Sequence, residues 1–274
     1  MRILSIGILL VAGCTATSVR NSGRVDPNRL SPPSQGNEVV LDHGPWTRFL
    51  EKNVFYAGRA TERLFPLRQS ERLRYDQLDR AVDNPRPSRF DNNRIYISKF
   101  GDEHRIFVAG YRAGLERAHG LLPKMSKDEQ LAYWLNLYNA RVIEWLASVY
   151  PKRLVDRDED GSPWMEAALK VSGSEISLRD IEAVLFAQWQ EPLVLYGLFQ
   201  GTVGGPRLPR RAYRGEDVWD QLESNAYEFI NSNRGMRPSE QTLEVSQVYE
   251  WSRPMWADED LRPYLGTVRT AREA

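Results

Sequence analysis

Few side chains in this chain can do covalent chemistry, and one of them stands alone: Cys14 is the single cysteine among 274 residues. A thiolate is a strong nucleophile and metal ligand, but a solitary one offers neither a disulfide nor a cysteine-based metal set. Its setting points elsewhere. Arg2 precedes the apolar run Ile3 to Val11, which leads into Ala12-Gly13-Cys14. That is the layout of a secretory leader, too short to remain in a bilayer as a spanning helix. Small residues ahead of the cysteine resemble a bacterial lipobox, in which the leader is cut before the cysteine and the thiol carries lipid. Residues 1–13 are therefore expected to be a signal peptide and Cys14 the lipidation site. Acyl chains contribute about 0.8 kcal/mol per buried CH₂, so several together hold a protein on a membrane. Thr15 rather than aspartate follows the cysteine, which resembles the signal for sorting to an outer membrane. With the thiol acylated, no cysteine is left for catalysis.

Asp156-Arg157-Asp158-Glu159-Asp160-Gly161 offers carboxylates at alternate positions, which could converge on a hard cation such as calcium at Asp156, Asp158 and Asp160. Ala167 stands where a calcium loop has its twelfth-position glutamate, and a solvated acidic loop is the competing reading. No other cofactor is implied. His43, His104 and His119 are scattered, with no metal-ligand spacing between any two. Ser162, Ser177 and Ser246 lack a nucleophile-elbow pattern, and Gly201-Thr202-Val203-Gly204-Gly205 lacks the Lys-Ser/Thr that completes a P-loop. Two asparagines stand out. Asn136 and Asn139 lie one turn apart within an aromatic helical pattern, where an amide competes with the backbone. They either line a pocket with Gln200, Thr202 and Tyr213 or act as buried amides that order the core.

The elements that would position these groups can be read from periodicity. Residues 15–39 are rich in Ser, Asn, Gly, Pro and Arg, and are expected to be a flexible tether, with the folded domain spanning 40–274. Phe55 to Val82 predicts one or two amphipathic helices, Ile95-Tyr96-Ile97 a short strand, and Arg105 to His119 a helix. Ser126-Lys127-Asp128-Glu129 predicts a capping box, with Glu129 reaching back to the start of a helix that Pro151 ends. Ala167 to Ile176 predicts a hairpin turning at Ser172-Gly173, and Ser177 caps a helix to about Gln188. Pro192 to Phe199 has the length of a buried strand, Asp217 to Ile230 is amphipathic, and Thr242 to Val248 alternates like a strand. Helices and strands without a β-α-β beat predict an α+β fold, a single domain of several helices on a small mixed or antiparallel sheet.

Taken in order, several blocks resemble the DUF547 family. They are Trp134-Leu135-Asn136-Leu137-Tyr138-Asn139-Ala140, Tyr150-Pro151, Trp164, Val171-Ser172-Gly173, Ile176-Ser177-Leu178-Arg179-Asp180-Ile181-Glu182, Pro206-Arg207-Leu208 with Ala212-Tyr213, and Val245-Ser246 with Trp251. The resemblance runs from about Leu131 to Trp256, within a motif-bearing core of 126–256. It implies a histidine where Leu195 stands and cysteines where Gln200 and Gly205 stand. None of the three residues present can act as a nucleophile or a titrating group.

Lys and Arg together number 37, as do Asp and Glu, which argues against a nucleic-acid binder working through a cationic face. The expectation is a lipoprotein on the periplasmic face of a bacterial outer membrane, a non-catalytic module binding an envelope protein or a small-molecule ligand. The alternatives are an enzyme, hydrolase-like, whose site has moved to Asn139, Glu144, Gln200 and Tyr213, and a calcium-stabilised envelope protein.

Overall fold

In a computed structural model of the chain, residues 25–55, 95–152, 155–202, 204–230, 232, 234–238 and 243–252 are described, together with the two-residue strands at 4–5, 59–60 and 83–84. Cys14, most of the leader, the start of the tether, most of the pattern expected over Phe55 to Val82 and Trp256 lie outside the described residues.

The helices are α1 (Pro27–Leu30), α2 (Gly44–Asn53), α3 (Asp102–Ala118), α4 (Lys127–Val149), α5 (Leu178–Trp189), α6 (Val218–Ile230) and α7 (Gln247–Ser252). The strands are β1 (Leu4–Ser5), β2 (Arg59–Ala60), β3 (Asp83–Asn84), β4 (Leu169–Val171), β5 (Ser174–Ile176), β6 (Met236–Pro238) and β7 (Leu243–Val245). The class is α+β in a single domain. The strands form small groups: β4 with β5 antiparallel, β2 with β3 parallel, and an antiparallel set in the order β1, β7, β6.

The centre of the molecule is helical. Every residue of α4 from Glu129 to Ala140 is buried. A helix buried on every face lies at the centre of a core, and α3, α5 and α6 pack around this one. A second aromatic layer joins α2 to α3, where Trp46 stacks on Phe49 with centroids 5.1 Å apart and on Tyr111 at 4.5 Å.

Four expectations are corrected. Residues 25–39 do not hang free. Leu30 is buried, Gln35 N–H donates to Pro123 O at 2.7 Å, and Glu38 and Val39 N–H donate to Lys124 O. The polar composition conceals backbone pairing with the 3-10 turn at His119–Lys124. Pro192–Gly197 is also a 3-10 turn rather than a strand, because Glu191 accepts from Leu193 N–H and starts it. Ile95 makes one bridge to Val54, and the chain then coils into Ile97–Lys99. The strand expected over Thr242 to Val248 ends at Val245, and α7 follows at once.

Candidate functional site

Ser126 caps α4 as expected, its Oγ accepting from Glu129 N–H at 3.1 Å. The Glu129 carboxylate does not reach back. It accepts from Leu41 N–H at 2.8 Å through one oxygen and from Gly215 N–H at 3.0 Å through the other. A Cβ at Gly215 would sit 2.6 Å from that second oxygen, so only glycine allows the approach. A capping residue thus ties two distant loops to the start of the central helix.

Two to three turns further on, the two asparagines do the same job for the other side of the fold. Asn136 Nδ2 donates to Tyr213 O at 2.8 Å, and its Oδ1 accepts from Tyr213 N–H at 3.1 Å. Asn139 Nδ2 donates to Gly197 O at 3.0 Å, and its Oδ1 accepts from Phe199 N–H at 2.9 Å. Each amide thereby pairs its oxygen and one N–H with backbone that has no strand partner. This explains why two poor helix formers sit in a buried helix: unpaired buried backbone would cost about 1–3 kcal/mol per group. Tyr213 is fully buried and its hydroxyl accepts from Asn225 Nδ2 at 2.9 Å, with burial pushing its pKa well above the usual phenol value.

A charged cluster gathers at Tyr138, between the two asparagines on α4. Arg157 Nη2 reaches both Glu182 oxygens at 2.6 Å, Tyr138 donates to Glu182 at 2.7 Å, and Trp164 Nε1 donates to the Tyr138 oxygen at 2.8 Å. The guanidinium lies between the rings of Trp164 and Trp251, 5.1 and 5.0 Å from their centroids. Burial works against the Arg157 cation, but the Glu182 carboxylate outweighs it and holds the pKa above the ordinary value. Burial, with the Glu182 charge, drives the Tyr138 phenol strongly upward, so it remains a donor. Gln200 Oε1 is 3.5 Å from the same hydroxyl, and Gln200 Nε2 donates to Leu198 O at 3.2 Å.

The expected pocket group is therefore brought together only in part. Asn136 and Tyr213 touch, Asn139 holds the turn leading to Gln200, and Gln200 borders the charged cluster. Gln200 lies against Gly205, where an added Cβ would come 3.2 Å from Gln200 Cβ. The two positions where the resemblance implies cysteines are thus neighbours in space. Leu195 is buried. Thr202 is half-buried at the edge of the same loop, and the loop is fastened from outside, Ser246 Oγ donating to Gly204 O at 2.6 Å and Arg234 Nε to Gly205 O at 3.2 Å.

In the acidic loop, Asp156 accepts from Asp158 N–H, Asp158 pairs with Arg179 and Glu159 with Lys152. Among the described residues no group of three or more His, Cys, Asp or Glu is arranged to hold a metal. Arg157, the basic residue inside that loop, is the one that turns inward. Sequence reading missed it, although Glu182 shares a helical face with Leu178, Ile181 and Leu185, and a carboxylate on such a face needs a cation. It also missed His119. That ring is buried, with Nε2 2.7 Å from Leu30 O and Nδ1 2.7 Å from Ser172 Oγ.

Residues 122–230 match the model of DUF547, described as a protein family of unknown function, and bear out the resemblance over that stretch. No curated protein and no solved structure matches the chain. No helix among the described residues is long and apolar enough to cross a membrane.

Proposed function

We propose that this protein is a lipid-anchored envelope protein, held at Cys14 on the periplasmic face of an outer membrane, whose DUF547 core binds a partner and does no chemistry at the family's reactive positions. One observation carries the second half of this reading. Leu195, Gln200 and Gly205 are all buried, and the Gln200 amide hydrogen-bonds within the core. A leucine, an amide and a glycine supply no nucleophile, no base and no metal ligand. The neighbouring charged residues are satisfied by one another and shielded from water, which suits a role in fixing the fold rather than in turning over a substrate.

The anchor rests on the Ala12-Gly13-Cys14 motif and the leader before it. Cleavage ahead of Cys14 would remove β1 and leave β7 at the edge of its sheet, which gives a partner strand a place to pair. The test is fractionation of cells fed labelled palmitate. Wild-type protein is expected in the outer-membrane fraction carrying label, while Cys14→Ser is expected unlabelled and released from the membrane. Cross-linking in intact cells should then capture the same envelope component from the anchored form and lose it with Cys14→Ser. Unlabelled wild-type protein in the soluble fraction would overturn the reading.

A further inference from the structure

Among the polar clusters of the described residues, three centre on a buried histidine or on the Arg157 cation. The Arg157–Glu182 cluster is closed to solvent, and the His43–Tyr111 pair lies under the second aromatic layer. The third reaches the surface. His119 ends α3, and its ring bridges α1 and the tip of the β4–β5 hairpin.

The hydrogen-bond roles there follow from chemistry. Leu30 O can only accept, so His119 Nε2 carries the proton. The neutral ring then has its lone pair on Nδ1, and Ser172 Oγ, 2.7 Å away, must donate to it. Burial lowers the His119 pKa and favours this neutral form at pH 7. A hydroxyl, an imidazole base and a third group that fixes the tautomer are the three parts of an activated serine. Here a backbone carbonyl stands in the third place.

The serine also lies at the surface. Ser172 is exposed, with φ of +49°, and Gly173 follows at +74°. These are the two central residues of a hairpin loop whose ladder closes at the Val171–Ser174 pair. The N–H groups of Ser172 and Gly173 therefore lie outside the ladder. A Cβ at Gly173 would meet nothing within 4 Å, so the space next to the serine is open.

We propose that Ser172, paired with His119, is a nucleophile that hydrolyses short-chain carboxylic esters at the hairpin tip. Ser172 Oγ adds to the ester carbonyl carbon as its proton passes to His119 Nδ1. The carbon–oxygen bond to the alcohol breaks, and the imidazolium returns that proton to the departing oxygen, leaving an acyl-serine. Water, deprotonated by His119, then attacks the acyl carbon. The acid leaves as Ser172 recovers its proton. The open setting suits a small uncharged acyl group rather than a long chain that needs a channel.

The experiment uses the detergent-extracted full chain, with p-nitrophenyl acetate as substrate and a fluorophosphonate as covalent probe. Expected are nitrophenol release above the buffer rate and a single labelled peptide containing Ser172. Ser172→Gly should lose both while melting at the wild-type temperature or above, since glycine is at home at positive φ. His119→Gln should lower the rate by about 10²- to 10⁴-fold, the usual span of general-base catalysis. Should His119→Gln fail to fold, the Ser172→Gly comparison decides by itself. Release at the buffer rate, or labelling that persists in Ser172→Gly, overturns the proposal. Neither result bears on the lipid anchor, which is read from palmitate and fractionation.

Discussion

Two polar clusters touch the central helix little more than a turn apart, one at Tyr138 and one at Tyr133 and Trp134, and they end in different states. At the middle of α4, Arg157, Glu182, Tyr138 and Trp164 satisfy one another in a sealed interior. Beside its N-terminal half, His119 faces two aromatic residues of the helix, Tyr133 and Trp134, but hands its free nitrogen to an exposed hydroxyl. The contrast shows that polar residues alone do not make a reactive centre. Burial with full pairing gives rigidity, whereas a buried base with one accessible partner gives a group that can act on something outside.

The comparison breaks most sharply at Glu182. Removing it in Glu182→Ala strands the Arg157 cation in the core, and urea unfolding should show a loss of about 3–5 kcal/mol. Replacing both partners by leucine and methionine should recover much of that loss. A Glu182→Ala change below 1 kcal/mol would mean water reaches the cluster after all.

The histidines give the next largest effect. Burial lowers the His43 pKa from 6.5 to about 4, while Asp42 partly opposes the shift. A protonated ring would need a partner for Nε2, which is buried and has none. Folding therefore favours the neutral ring, and its contribution is complete above pH 6.5 and disappears as pH falls toward 4. At 1.36 kcal/mol per pH unit this is roughly 3 kcal/mol. His119 shifts the same way. Denaturation midpoints at pH 7, 5.5 and 4 should fall in that order, and His43→Phe should flatten the slope.

The amide clasps come third. Asn136→Leu and Asn139→Leu each leave one backbone N–H and one carbonyl without partners, and each should cost a net of about 1–3 kcal/mol, since the leucine's apolar burial offsets part of the penalty for the two groups. Should one of them instead leave the melting temperature unchanged and abolish capture of the envelope component, that amide faces a ligand rather than the backbone. The smallest effect belongs to the exposed end of the contrast. Ser172→Gly should change stability by no more than about 0.5 kcal/mol, so a larger loss would make the His119–Ser172 bond a structural latch.

Sequence carried the outline where local rules suffice. Ser177 caps α5 with Asp180 answering it at 2.8 Å, α6 follows its apolar stripe, and the hairpin turns at Ser172-Gly173. Local rules failed where a distant partner decided the outcome. Glu129 fits a capping box, yet its carboxylate binds Leu41 and Gly215, loops that no window around it contains. Pro192 to Phe199 has the composition of a strand, but a turn held by Asn139 was available and no neighbouring strand was.

What the chain determined unaided is therefore the four long helices α3 to α6, the Ser126 and Ser177 caps, its candidate anchor at Cys14 and the absence of sulfur and imidazole at Gln200, Gly205 and Leu195. Composition and period are local properties, and they are legible wherever a helix needs one apolar face. The pairing of Arg157 with Glu182, 25 positions apart, and of His119 with Leu30 and Ser172, 89 and 53 apart, was decided only in three dimensions. A polar side chain entering the core must find a partner there, and which one it meets depends on how the helices cross.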